Sequence, residues 1–273
     1  LVPKLTDWTN ETIHGTVTDW SLSDTENLTG TQLYFYEALF LSFTSDPSLG
    51  FEIAIHYSFS TAAMIIEPNG IFYSPQIGFE EGNRLQAEIF FPLDFTVNQD
   101  EIIAGGENVY QPTFTNSNYV SFDNFPSSEN LVRIEIGFMT SKQTPELTTT
   151  RSGIFTFESV KRYETYARSI LNLYSSSYLD LVDLFNVTLG SAGNATDSIK
   201  VRFFLPDFAS LLSVGGYVPF SEEQIGDIYI NIVFTRFIPG YIEVIALHEL
   251  VHHFLWQVGI SPESLLWFHE GMA

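Results

Sequence analysis

The chain has 273 residues, enough for one large domain or two of ordinary size, and its 45% hydrophobic content excludes wholesale disorder. Eleven Lys and Arg stand against 33 Asp and Glu, a formal charge of −22, so no broad face can neutralise phosphates and neither nucleic acid nor an anionic membrane surface is an expected partner. No apolar run reaches the ~20 residues of a membrane helix, and the absence of cysteine removes disulfides and thiolate metal ligands.

Leu1 opens the chain with no charged and apolar leader behind it, as expected of a mature secreted chain whose signal peptide has been removed. Asn10, Asn27, Asn186 and Asn194 each carry Thr two residues on and are glycosylation candidates. With no cysteine, these features point to an extracellular or cell-surface setting in a bacterium or archaeon.

From about Glu11 to Met139 the sequence alternates with period two. In "FEIAIHYSFS", Phe51, Ile53, Ile55, Tyr57 and Phe59 share one face while Glu52, Ala54, His56, Ser58 and Ser60 share the other. The runs "RLQAEIFF" and "LVRIEIGF" repeat the pattern through Leu85, Ala87, Ile89 and Phe91 and through Val132, Ile134, Ile136 and Phe138. Turn formers separate the runs, as in "EPNG" and "FPSSEN". This half predicts an antiparallel β-sandwich. His56 on a polar strand face and His14 beside Gly15 read as exposed or satisfied histidines outside any site.

Residues 140–151, "TSKQTPELTTTR", are polar and lack periodicity, which places a boundary there between a sandwich over 1–145 and a second domain over 146–273. Beyond it the period changes. Val160, Tyr163, Ala167, Ile170 and Tyr174 fall at helical spacing, "YLDLVDLF" is a second helical run, and "IKVRFFL" and "IYINIVF" read as strands. The whole chain is therefore expected to be α+β. The strand "IYINIVF" is expected to offer the backbone of Tyr229 and Asn231 to an extended peptide substrate.

Four of the six histidines crowd into residues 248–273. "HELVH" on a helix sets His248 and His252 a turn apart on one face, where both imidazoles can reach one ion, and Glu249 beside them can approach water on that ion. Pro239 and Gly240 precede this helix and Gly259 follows it as a C-cap. Ser261 and Pro262 then form an N-cap and N1 pair that restarts a helix ending "WFHEGMA". His253, one residue round the helix from a ligand position, reads as lying beside the site or at the surface, and His269 as partner to a neighbouring carboxylate.

Together, "HELVH" and Trp267-x-x-Glu270-Gly271-x-Ala273 resemble the two motifs of gluzincin metallopeptidases, the clan of thermolysin and the aminopeptidase N family. The resemblance extends over about residues 155–273 and implies a zinc ion held by His248, His252 and Glu270, with Glu249 as general base. Zinc on two imidazoles and a carboxylate keeps one position open, lowers the pKa of its water towards ~7 and polarises a scissile carbonyl. Seventeen residues separate His252 from Glu270, one fewer than is typical of the aminopeptidase N family. That family's Gly-x-Met-Glu-Asn segment is not found at "VGGYVPF", which points away from an exopeptidase.

The function expected is thus a secreted or cell-surface zinc peptidase acting on peptide or protein substrates. The competing expectation is a structural or adhesive surface protein that keeps the lobe as an inactive module and self-assembles through the sandwich. The family's oxyanion-stabilising Tyr or His lies beyond the third ligand, so residues 1–273 are expected to be the front part of a longer protein, binding zinc weakly and hydrolysing little by themselves.

Overall fold

A computed structural model describes residues 2–3, 8–24, 36–59, 62–75, 84–105, 109–125, 133–189, 198–207, 214–221, 224–236, 240–260 and 268–273. The fold is α+β. The first strands are β1 (Val2–Pro3), β2 (Trp8–His14), β3 (Thr16–Asp24), β4 (Tyr36–Thr44) and β5 (Glu52–Tyr57); they form an antiparallel sheet β1-β4-β3 and an antiparallel pair β2-β5. Then come β6 (Ala63–Ile66), β7 (Asn69–Tyr73), β8 (Leu85–Phe90), β9 (Thr96–Gly105), β10 (Val109–Tyr110), β11 (Phe114–Thr115), β12 (Tyr119–Phe125) and β13 (Arg133–Met139), of which β11-β12-β8 is a second antiparallel sheet.

Alternation translates into burial most clearly in β8, where Leu85, Ala87 and Ile89 turn inward between exposed neighbours, and in β13, where Ile134, Ile136 and Phe138 are buried. It is weaker in β5, whose Tyr57 is exposed. His14 pairs with Glu52 at 3.6 Å and His56 is exposed.

The chain divides into two compact units. The first comprises Leu1–Ala63, Phe72–Phe90 and Ile102–Ile136; the second comprises Met64–Ile71, Phe91–Glu101 and Gly137–Ala273. The second unit is built on a sheet of order β14-β15-β16-β18-β17, with β14 (Leu147–Ser152), β15 (Phe155–Val160), β16 (Ile199–Phe204), β17 (Gly216–Tyr217) and β18 (Ile228–Asn231). The central β15, β16 and β18 are parallel, and β14 and β17 run antiparallel on the two edges.

Three elements differ from the expectation. Residues from Leu147 onward are strand rather than linker: Thr148 and Thr150 are half-buried between exposed neighbours, an alternation that threonine hides from a hydrophobicity reading although its β-branched side chain suits a pleated sheet. Gly153, at φ 57°, turns this strand back into β15. Val160 ends β15 instead of opening a helix, and both expected helical runs fuse into one helix, α1 (Glu164–Phe185), after a 3-10 turn at Lys161–Tyr163. Finally, "IYINIVF" leaves the sheet at Asn231. The Asn231 amide donates from Nδ2 to Val214 O at 2.8 Å and accepts from Val233 N–H at 3.0 Å, turning the chain into a 3-10 helix at Ile232–Arg236 whose Ile232, Val233 and Phe234 are buried.

Helix α2 (Tyr241–Gln257) follows. Gly240 takes φ 89° at its N-cap, and its C-terminus is closed by Gly259 N–H on Trp256 O (2.9 Å) and Ile260 N–H on Leu255 O (3.0 Å), with Gly259 at φ 84°. These paired bonds across a left-handed glycine satisfy carbonyls that a helix end otherwise leaves open. α2 packs on α1 through Tyr174, whose hydroxyl donates to Ala246 O at 2.7 Å, and through stacked Phe185 and Phe254 rings 5.5 Å apart. Phe254 and Tyr174 are fully enclosed; burying an aromatic side chain of this size contributes about 1.5 to 3 kcal/mol. Among the described residues no helix is long and apolar enough to cross a membrane.

Within the same unit the β6–β7 turn is fastened to the 3-10 turn before α1. Ile65 N–H donates to Tyr163 Oη at 2.7 Å, and the Arg162 guanidinium grips the buried Glu67 carboxylate. Arg162→Ala leaves that carboxylate uncompensated, and with Arg162 itself 43% exposed the expected destabilisation is about 3 kcal/mol, the lower end for a broken buried pair. Urea unfolding should show it, and adding Glu67→Gln should recover part of the loss.

Candidate metal centre

His248, Glu249 and His252 lie midway along α2, where the 3.6-residue period carries the two histidines to adjacent turns. Their rings meet edge to face with centroids 4.7 Å apart, and one ligand atom from each of the three residues falls within 4.8 Å of the others. Glu270, on the helical turn at 268–272, joins them: its carboxylate oxygens lie 3.4 Å from His248 Nε2 and 4.0 Å from His252 Nε2. The four residues expected from the sequence are therefore brought together, with Glu249 inside the closest triple. Trp267, Ser261 and Pro262 lie outside the described residues.

The cluster is graded in burial. Glu249 and His252 are buried, whereas His248 is 31% and Glu270 53% exposed. Burial, reinforced by the charge of Glu270, pushes the Glu249 carboxyl up from 4.5 to about 8. Burial, then the charges of His248, His269 and His253, pushes His252 down to about 3. The His252 imidazole is thus neutral at pH 7, the state in which it can bind a metal. No Lys or Arg side chain pairs with Glu249 or Glu270 among the described residues, and Glu249 Oε2 is buried without a hydrogen-bond partner there. A neutral His252 imidazole beside His248, with the Glu249 and Glu270 carboxyl groups converging on both rings and a buried Glu249 oxygen left without a partner among the described residues, makes a donor set that fits a divalent cation with nitrogen and oxygen preference.

The site opens into a recess of about 440 Å³ whose lining includes Gly216, Phe234, Tyr241, Val244 and Ile245 beside His248, Glu249 and Glu270. Gly216 sits so close to the general-base candidate that a Cβ there would lie 2.7 Å from Glu249 Oε1. The paired glycines of "VGGYVPF" carried that signal in the sequence. Tyr229 and Asn231 do not serve as expected. β18 has β16 on one side and β17 on the other, Tyr229 pairs with Tyr217, Asn231 N–H donates to Gly215 O at 2.9 Å, and Asn231 is fully buried. The sheet edge beside the cluster belongs to β17.

Two further histidines flank the cluster. His253 is buried beside the site, the first of the two places expected for it; burial pushes it down to about 4, against a hydrogen bond to the Gly226 backbone. His269 is 1% exposed and pairs not with a carboxylate but with His252, Nδ1 to Nδ1 at 2.6 Å. Of the glycosylation candidates, Asn10 is exposed on β2 and Asn186 exposed at the C-cap of α1, while Asn27 and Asn194 lie outside the described residues. No protein-family model matches the sequence, and no curated protein matches it.

The titrations set opposing pH limits in the metal-free protein. Glu249 is raised, so the folded state holds more protons than the unfolded chain between 4.5 and about 8, and its contribution to stability, full below pH 4.5, is lost as pH rises through about 8. His252, His253 and His269 are depressed below 6.5, so the unfolded chain protonates first and stability falls as pH drops below about 6.5. These groups place the maximum near pH 6.5. Melts in chelator should show Glu249→Gln above the parent at pH 8, with the two converging below pH 4.5; a parent equally stable at pH 6.5 and 8 would contradict the burial argument.

Proposed function

We propose that the chain carries the zinc centre of a peptidase, with His248, His252 and Glu270 as ligands and Glu249 as general base. The observation that supports this reading is the convergence of those four side chains, with Glu249 buried beside the two imidazoles and its Oε2 without a hydrogen-bond partner among the described residues. A zinc ion held by His248, His252 and Glu270 would supply Lewis acidity.

The chain's own residues supply the rest. Asn231 N–H bonds to Gly215 O, so the alternation of an antiparallel ladder turns the N–H and C=O of Gly216 to the outer edge of β17, where an extended peptide can add as a further strand. An apolar substrate side chain fits the recess wall formed by Phe234, Tyr241, Val244 and Ile245. Glu249 takes a proton from water as the water oxygen adds to the scissile carbonyl carbon. When the carbon–nitrogen bond breaks, Glu249 delivers that proton to the departing nitrogen. Its burial favours both halves of the transfer, because a desolvated carboxylate is a stronger base and its protonated form is readily held.

The test uses the natural full-length protein, casein as substrate and metal analysis. Glu249→Gln is expected to lower hydrolysis by about 10²- to 10⁴-fold while bound zinc stays near one per chain; loss of zinc with activity would remove Glu249 from the base role. Gly216→Ala should also lower hydrolysis at unchanged zinc content, because its Cβ must displace the Glu249 carboxylate. His248→Ala and Glu270→Ala should lose the metal.

A further inference from the structure

We infer that His269 is a positioning residue for His252: it accepts a hydrogen bond from His252 Nδ1–H and so reserves His252 Nε2, with its lone pair bare, for the metal. The inference rests on the zinc reading above. Its basis is a contact between two buried rings that meet edge to edge, their planes within 18° and their centroids 4.6 Å apart, with the Nδ1 atoms at 2.6 Å. Two imidazole nitrogens at that distance share one proton, so one ring donates and the other accepts.

The surroundings decide which way the proton must lie when His252 is a ligand. His252 Nε2 faces Glu249 Oε2 and Glu270 Oε1, each at 4.0 Å, and so points into the cluster. A neutral imidazole that ligates through Nε2 carries its proton on Nδ1. His269 Nδ1 must then be the bare acceptor, and the proton of His269 sits on Nε2, which is buried without a partner among the described residues. The opposite arrangement puts the proton of His252 on Nε2 and closes that nitrogen to metal. The Phe220 ring lies beside His269, with centroids 6.3 Å apart. Whether the ring of His252 can bind is therefore governed by a neighbour that itself touches no cation.

Two replacements separate this role from mere packing. Asn places its Oδ1 at the same branch position as His Nδ1 and can accept the bond, whereas Leu places a methyl there and cannot. In the full-length protein loaded with zinc, nitrogen-15 spectra of the imidazoles should show His252 protonated at Nδ1. Competition with a chelator should show zinc affinity within a few-fold of the parent for His269→Asn and weakened by about 10- to 100-fold for His269→Leu, with thermal melts verifying that both variants fold. Should the Leu variant fail to fold, the Asn variant and the parent spectrum still decide. A zinc-loaded parent with His252 Nδ1 unprotonated, or Leu and Asn variants equal in affinity, overturns the inference and leaves the zinc centre standing. A parent that binds no zinc overturns the centre itself, and this inference with it.

Discussion

Helix α2 has to carry Glu249, His252 and His253 into a protein interior, and the second unit is organised around that constraint. Burying these polar groups opposes folding unless each is neutral or partnered. The depressed histidines and the raised carboxyl are the direct consequence: water is removed before any compensating charge is present. Ile242, Ala246, Leu250 and Phe254 of the same helix are buried and offset that penalty, with Phe254 stacked on Phe185 of α1, and the Tyr174 bond to Ala246 O fixes the register of the two helices beside the cluster. A cation at the cluster would relieve the same penalty, so metal binding there would be coupled to folding.

The mixed sheet gives the cluster its second wall. Parallel β15, β16 and β18 form a buried floor, and the chain leaves β18 at Asn231, whose side chain satisfies Val233 N–H past the turn and Val214 O in the segment before β17. Two-residue β17 then lies along β18 with Gly216 against Glu249. A side chain at position 216 would occupy the space of the carboxylate, so the glycine is demanded by close approach and not by an unusual backbone angle. The element that presents a backbone edge to the recess is thereby also the element that sets the position of the proposed base.

The histidines of the site act in pairs. His248 and His252 meet edge to face across one helical turn, and His252 and His269 meet through their Nδ1 atoms between α2 and the helical turn at 268–272. The second pairing couples Glu270 to α2, since His269 and Glu270 are adjacent and address different nitrogens of the same His252 ring. The exposure of Glu270 and the burial of His269 follow from their being about 100° apart on a helix.

Sequence by itself determined the class of the fold and the residue types that meet in the cluster. Period-two alternation in "RLQAEIFF" and "LVRIEIGF" and the helical spacing around "HELVH" are local consequences of backbone geometry, and the two strands and the helix appear where that geometry puts them. Glycine conformations around α2 were legible for the same reason, at Gly240 and Gly259. The strand "LTTTRS" was not, because threonine alternates in burial without alternating in polarity. Tertiary structure alone decided the rest: which strand takes the sheet edge, that Met64–Ile71 and Phe91–Glu101 join the second unit, and that His269 meets His252 instead of a carboxylate. Each depends on residues distant in sequence sharing one space, and spacing along a chain fixes which side chains share a helix face but not what lies opposite them.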